Sequence, residues 1–157
     1  MSEIKENKLY ITPVSDGTAL DHLKPWTALK VLEILGLPAL KNCKVSVALN
    51  VESSRLGRKD LVFIEGKELS AGELEKIGLV CKGGTCNLIK GSKVVKKYEI
   101  SYPEKAEGII KCINPACISN KESFNSKFKL VSKEPLKAEC NYCETIMNEN
   151  EIASSVL

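Results

Sequence analysis

Four of the seven cysteines lie in two close pairs near the end of this 157-residue chain. Cys112 and Cys117 enclose four residues, Cys140 and Cys143 enclose two, and 22 residues separate the pairs. Each pair can place two sulfurs on one ion from a single turn, and the long insert can fold as strands that return the second pair to the first. Four thiolates around one ion are typical of a structural zinc site, which has no open position for a catalytic water. The pattern therefore predicts one structural Zn2+ per chain.

The composition indicates a folded protein of the cytoplasm. Hydrophobic residues make up 43% of the chain and charged residues 27%, which is ordinary for a globular protein. No apolar run approaches the roughly 18 residues of a membrane helix, and the first ten residues do not resemble a signal peptide. Because the cytoplasm is reducing, clustered cysteines there favour metal binding over disulfides. The other three cysteines, Cys43, Cys81 and Cys86, are predicted to be small buried hydrophobic groups.

Local patterns before residue 102 predict an α+β domain with a ferredoxin-like antiparallel sheet. The predicted elements are a strand over 8–14, a turn over 15–17, a helix from 23–25 to 36–38, a strand over 43–51, a loop over 52–59, a strand over 60–65, a helix over 70–77, an extended piece over 79–81, and a hairpin of 85–90 with 93–100. Their order, β-α-β-β-α-β-β, favours two helices on one face of the sheet, with one extra strand.

The pattern breaks at residues 101–105, which predicts a domain over 1–102 and a small all-β zinc domain over 103–157. So short a segment cannot build a large core unaided, so the zinc ion is expected to stabilise it. Phe124 and Phe128 are the expected core of this segment. In the first helix, Trp26, Leu29, Leu32 and Leu35 are expected to share the buried face.

An enzyme is disfavoured because the sequence has no Ser/His/Asp set, no HExxH and no Walker motif, and contains one histidine. The stronger alternative is a zinc-ribbon protein that binds nucleic acid. Residues 1–102 carry 16 Lys and Arg against 12 Asp and Glu, whereas residues 103–157 carry 7 against 8. Because nucleic-acid modules concentrate basic residues, the weakly acidic zinc segment argues against that alternative.

Four segments resemble, in order and spacing, the regulatory chain of aspartate carbamoyltransferase. They are residues 17–22 (GTALDH), 57–61 (GRKDL), 112–120 (CINPACISN) and 140–144 (CNYCE). The resemblance covers nearly the whole length of the chain. It implies a non-catalytic subunit of pyrimidine biosynthesis whose N-terminal domain binds CTP and ATP. It also implies a regulatory dimer and a zinc domain that docks onto the catalytic chain, with no role for nucleic acid or membrane.

The resemblance also implies which residues bind the effector. The implied contacts are Ile11, Thr12, Val14, Asp21, His22, Lys59, Asn87, Ile89, Val94 and Lys97. Lys59 and Lys97 would contact phosphates, and Asp21 would accept from ribose hydroxyls. Taken alone, these residues also fit a solvated hairpin and a local turn. The chain departs from the family at Phe63, where a second lysine is usual, and at Pro13, which has no backbone donor.

Overall fold

The computed structural model describes residues 14–157, and the first half of that range folds around a five-stranded sheet. Its strand order is β2-β3-β1-β4-β5, and every neighbouring pair is antiparallel. The elements are β1 (Gly17–Leu23), α1 (Ala28–Leu35), α2 (Leu37–Leu40), β2 (Lys44–Ser53), β3 (Gly57–Glu65), α3 (Ala71–Cys81), β4 (Thr85–Lys90) and β5 (Lys93–Glu99). The order of the first four strands is ferredoxin-like, and β5 is the extra strand, so the predicted fold class is confirmed.

The first strand is not where the sequence patterns put it. The predicted strand over 8–14 lies outside the described residues except for Val14, which belongs to no strand. Residues 17–23 form the central strand β1, although the sequence patterns placed Gly17 in a turn and Leu23 at the start of a helix and assigned no element to 18–22. Gly17 is required at its start, because a side chain there would collide with the Ile64 carbonyl oxygen of β3.

The helices pack on one face of the sheet, with a first core between them. That core contains Leu20, Val62 and Ile64 from the strands and Val31 and Ile77 from the helices. The predicted buried face of α1 was partly wrong: Trp26 and Leu29 are 61% and 57% exposed, whereas Ala28, Val31 and Leu35 are buried.

Helix α3 begins with the predicted capping box. The Ser70 hydroxyl accepts from the Glu73 amide at 3.2 Å, and the Ser70 amide donates to the Glu73 carboxylate at 3.0 Å. The helix continues to Cys81, so the extended piece predicted over 79–81 is its last turn. Cys81 and Cys86 are buried in the first core and Cys43 packs partly against it, as predicted for small hydrophobic groups.

The second half of the chain forms a four-stranded antiparallel sheet in the order β6-β7-β8-β9. The elements are β6 (Lys105–Glu107), α4 (Ile118–Lys121), β7 (Lys127–Lys133), β8 (Leu136–Cys140), β9 (Ile146–Asn148) and α5 (Glu149–Ser154). The segment is strand-rich as predicted, with two short helices beside the sheet. Among residues 14–157, no helix has the length and apolar character needed to cross a membrane.

A second core fills this segment and extends beyond it. Phe128, Leu136 and Met147 are buried there together with Leu79, which belongs to α3 and is only 2% exposed. Phe124, also predicted to be core, is instead 50% exposed and stacks on the Tyr142 ring with centroids 6.0 Å apart. The small sheet thus gains an apolar side chain from the preceding helix.

Candidate functional site

The four paired cysteines converge on one point of the small sheet. The sulfurs of Cys112 and Cys143 are 3.6 Å apart and those of Cys117 and Cys140 are 3.7 Å apart. All four sulfurs lie within 4.8 Å of one another. Tetrahedral zinc with Zn–S bonds of about 2.3 Å places its sulfurs about 3.8 Å apart. The cluster therefore fits one structural zinc ion, held by all four predicted ligands.

Two loops bring these cysteines together. Cys112 and Cys117 flank the first loop, and the side-chain amide of Asn120 in α4 donates to the carbonyl oxygens of Cys112 and Asn114, each at 2.8 Å. Cys140 ends β8, and the turn after it is closed by the Glu144 amide, which donates to the Cys140 carbonyl at 2.9 Å. The sequence motif contained Asn120 but gave no sign of this bracing role.

The electrostatics of the cluster suit a dication. The pKa of the Cys112 thiol is raised to about 12, mainly by burial and also by the neighbouring sulfurs, while the N–H bond from Asn114 acts to lower it. A hydrogen bond with the Thr145 hydroxyl is the main cause that lowers the pKa of Cys143 to about 6. Four adjacent sulfurs resist joint ionisation without a cation, because each thiolate repels the next. A zinc ion would remove that penalty, so binding is coupled to release of thiol protons.

The predicted effector residues lie on the opposite face of the large sheet from the helices. Leu20, Val62 and Cys86 are paired neighbours that face the first core, and side chains alternate along a strand. The residues between them therefore point to the other face, which we call the open face. Predicted contacts on the open face are Asp21 of β1, Lys59 of β3, Asn87 and Ile89 of β4, and Val94 and Lys97 of β5.

Asp21 and Lys59 form an ion pair on this face. The Lys59 ammonium nitrogen is 2.9 Å from Asp21 Oδ1, and both side chains are mostly shielded from solvent. Burial by itself raises the pKa of the Asp21 carboxyl, but the hydrogen bond from Lys59, the His22 amide and the positive charge of Lys59 together lower it. The sequence predicted both residues as ligand contacts without predicting that they contact each other.

A bulge in β1 follows Asp21. The register between β1 and β3 shifts between Leu20 and Leu23, and His22 within the shift has a φ of 56°. The His22 ring nitrogen Nδ1 then lies 3.3 Å from the Thr85 hydroxyl of β4. Thr85 is a buried polar residue beside the predicted site that sequence reasoning missed, since a threonine opening a strand is unremarkable by itself.

Asp60 is a second residue that the sequence reasoning missed. Its side chain is fully buried under the sheet, where the carboxylate accepts from the Ala28 amide at 2.9 Å and from the Asn50 amide at 2.8 Å. Ala28 is the first residue of α1, and Asn50 lies in a register shift between β2 and β3. Asp60 therefore holds the start of α1 and the bulge at Asn50 on the helix side of β3. Lys59, the preceding residue, points to the open face.

The remaining predicted contacts are not all brought together. Lys97 is on β5 and Lys59 on β3, so two strands separate them, a backbone distance of about 14 Å across the sheet. Val14 is buried beside β1, while Ile11 and Thr12 lie outside the described residues, as does Pro13. Phe63 points to the open face and pairs with Ala19, which also neighbours Asn87. An aromatic ring thus occupies the centre of the face where the family usually has a lysine.

Comparison with known families matches both halves of the chain. Residues 9–101 match the aspartate carbamoyltransferase regulatory chain, allosteric domain, and residues 104–153 match the metal binding domain of the same regulatory chain. The regulatory chains of Pyrococcus horikoshii and Pyrococcus furiosus are each 47% identical over 150 residues, covering 95% of this chain and 99% of the relative. That of Hyperthermus butylicus is 40% identical over 150 residues, 94% of each chain.

These matches confirm the resemblance that the sequence motifs indicated and do not favour the nucleic-acid alternative. They span both sheets, and the metal binding match contains all four clustered cysteines. The relatives are regulatory chains, as predicted for a non-catalytic subunit. The chain belongs to the family of aspartate carbamoyltransferase regulatory chains, with an allosteric domain followed by a metal-binding domain.

Proposed function

We propose that this chain binds CTP and ATP on the open face and transmits their binding to the catalytic chain of aspartate carbamoyltransferase. The main support for the proposal is the ion pair of Asp21 and Lys59 at 2.9 Å on this face. The same face also presents Asn87, Ile89 and Lys97. Lysines can bind a triphosphate, and the carboxylate can accept from ribose hydroxyls.

The geometry supports a division of roles across the face. A bound triphosphate would draw the Lys59 ammonium group away from Asp21 and free the carboxylate for a sugar hydroxyl. Lys97, with two strands between it and Lys59, would contact a more distant phosphate with its long flexible side chain. Asn87 and Ile89 lie between these positions, on the strand beside β1, where they would line the nucleoside.

We further propose that residues 1–102 and 103–157 are the two functional domains. The first would bind effectors and pair with a second copy of itself in a regulatory dimer. The second would dock onto the catalytic chain, with its surface shaped by the zinc cluster. The two separate cores support this division, while Leu79 of α3 in the second core supports mechanical coupling between the parts. A cytoplasmic location stays a prediction.

The test is calorimetric titration of the zinc-loaded chain with CTP and with ATP. Lys97→Ala should weaken both affinities by about tenfold, as expected for loss of one charge-assisted contact. Lys96→Ala is the matched control, because Lys96 is the next residue of the same strand, is exposed, and points to the opposite face. Equal losses in both variants would indicate general electrostatic attraction, and no loss in Lys97→Ala would move the site elsewhere.

A further inference from the structure

Each pair of zinc ligands is followed by a hydroxyl side chain at the same spacing. Ser119 comes two residues after Cys117, and Thr145 comes two residues after Cys143. The Ser119 hydroxyl oxygen is 3.1 Å from the Cys117 sulfur, and the Thr145 hydroxyl oxygen is 3.1 Å from the Cys143 sulfur. The two loops differ in length and sequence, yet both place a hydroxyl on the second sulfur of the pair.

Backbone amides also donate to three of the four sulfurs. Those of Asn114, of Tyr142 and Cys143, and of Thr145 donate to the sulfurs of Cys112, Cys140 and Cys143, respectively. Backbone donors follow from the turn that a cysteine pair makes around an ion. A hydroxyl donor, in contrast, is present only if the residue at that position is a serine, a threonine or another residue with a hydroxyl side chain.

A metal-bound sulfur is a thiolate and has no proton, so the hydroxyl must be the donor in the zinc-loaded chain. A hydrogen bond to a charged acceptor is about twice as strong as one between neutral groups. It also occupies a lone pair that a proton, a competing metal or an electrophile would otherwise attack. Cys143 and both hydroxyl residues are only partly buried, so this side of the cluster is the one that such reagents reach first.

We infer that Ser119 and Thr145 are positioning residues of the metal centre, whose hydroxyl groups hold two of the four thiolates and slow the loss of zinc. These hydrogen bonds should slow the release of zinc as well as raise the affinity for it, because release begins when one thiolate leaves the ion. The inference rests on the sulfur cluster and not on the effector site, so its failure would leave the proposed function untouched.

The test uses the full chain loaded with zinc at neutral pH. Zinc transfer to the coloured chelator 4-(2-pyridylazo)resorcinol is followed by absorbance for Ser119→Ala, Thr145→Val and the double variant. Each single variant should release zinc about tenfold faster, the lower end of the range seen when a residue that supports a metal ligand is removed. The double variant should be faster than either single variant.

Two variants control for a general loss of stability. Ser132→Ala removes a hydroxyl of the same sheet that donates to the Pro135 carbonyl at 2.6 Å and not to a sulfur. Ser119→Thr keeps the hydroxyl at the metal centre. Both should release zinc near the wild-type rate. If Ser132→Ala is as fast as Ser119→Ala, or Ser119→Thr is as fast as Ser119→Ala, the hydrogen bond is not the cause and the inference is overturned.

Replacing zinc with cobalt gives a spectroscopic signal that would not change if Ser119 and Thr145 only stabilised the fold. A hydrogen bond stabilises the sulfur electrons from which the sulfur-to-cobalt charge-transfer band arises. Its loss in Ser119→Ala or Thr145→Val should therefore shift this band to longer wavelength, and Ser132→Ala should leave it in place. If one alanine or valine variant cannot be loaded, the other decides the outcome. Unchanged band positions and release rates would overturn the inference.

Discussion

In the proposed effector site, the ion pair between Lys59 and Asp21 means that a phosphate would compete with a carboxylate for the same ammonium group. Competition of this kind reduces affinity, but it keeps both groups ordered in the absence of the competing phosphate. It also couples two parts of the ligand, because a phosphate that takes Lys59 releases Asp21. Under the proposed function, effector binding would therefore exchange the partners of Lys59 and Asp21 and would not be a set of independent contacts.

Lys59→Met should raise the pKa of the Asp21 carboxyl. Burial already acts to raise this pKa, and the lysine contributes most of what opposes it. A lowered pKa means that Asp21 stabilises the folded chain at neutral pH and that this contribution is lost as the pH falls through the folded-state pKa. The titration can be followed by carboxyl NMR with labelled aspartate. Lys97→Met, two strands away, should leave the Asp21 pKa unchanged, and an equal shift in both variants would contradict the pairing.

At the scale of secondary structure, the irregular parts of β1, β2 and β3 are linked through Asp60. The carboxylate joins the first turn of α1 to the bulge at Asn50, and the β1 bulge at His22 lies close by in the paired register. A regular strand would point His22 to the helix side, away from the Thr85 hydroxyl. The buried Asp60 carboxylate holds the start of α1 against the β2–β3 bulge.

Asp60→Ala should lower the free energy of unfolding of the first half of the chain by about 3 kcal/mol, because two buried amides lose their acceptor. The measurement is urea unfolding followed by circular dichroism. Asp16→Ala is the control, since its exposed carboxylate accepts one amide, that of Gly91, at 3.1 Å. That variant should lose less than about 1 kcal/mol. Equal losses would mean that Asp60 contributes no more than an exposed turn acceptor.

The sequence predicted some elements well and others poorly, for identifiable reasons. The hairpin of β4 and β5 and the capping box of α3 were predicted because their signals are local: a Gly-Ser turn and a Ser-to-Glu spacing. Strand β1 was missed because its two neighbours, β3 and β4, come later in the chain and its own seven residues mix polar and apolar side chains. Central strands are determined by long-range pairing, which local patterns do not contain.

The two candidate sites also differ in how far local sequence signals predicted them. The zinc cluster was predicted in full because four cysteines at suitable spacing are a sufficient signal. The effector contacts were named residue by residue only through the family resemblance and stay a prediction, and the contact of Lys59 with Asp21 was not predicted. That contact joins two strands that are far apart in the sequence, and Asp60, whose carboxylate binds the Asn50 amide in the β2–β3 bulge, had no functional signature in the sequence.

At the scale of the whole molecule, α3 belongs to both halves. Its Ile77 is buried in the first core, and its Leu79, two residues later, is buried in the second. Exposed ion pairs of Lys24 with Glu149 at 3.4 Å and of Lys82 with Glu134 at 3.3 Å also join the two halves. Such exposed pairs contribute little, so the burial of Leu79 in the second core stabilises this junction more than they do.

Leu79→Ala should destabilise the zinc domain although the residue lies outside it. Removing a buried leucine side chain costs about 3 kcal/mol, and here the cavity would open in the second core. Hydrogen exchange should therefore accelerate over residues 103–157 more than over the large sheet. Leu74→Ala is the matched control, because that leucine of the same helix packs against the first core. The same exchange pattern in both variants would contradict the shared role of α3.

Zinc removal should separate the two halves functionally. The metal must supply much of the stability of residues 103–157, since zinc binding in comparable small domains is worth about 10 to 16 kcal/mol at neutral pH. Stripping zinc with a mercurial and a chelator, or the substitution Cys140→Ser, should therefore unfold this segment. The large sheet has its own core and should stay folded, with Leu79 newly exposed.

Effector binding and partner binding should then respond differently. CTP affinity, measured by calorimetry, should persist because Asp21, Lys59 and Lys97 all lie on the large sheet. Association with the catalytic chain, measured by sedimentation, should disappear with the surface that docks. Allosteric control would fail with it, because an effector can act only by favouring a state in which the catalytic chain makes different contacts. Association that survives zinc loss, or CTP binding that vanishes with the metal, would overturn the proposed division between the two domains.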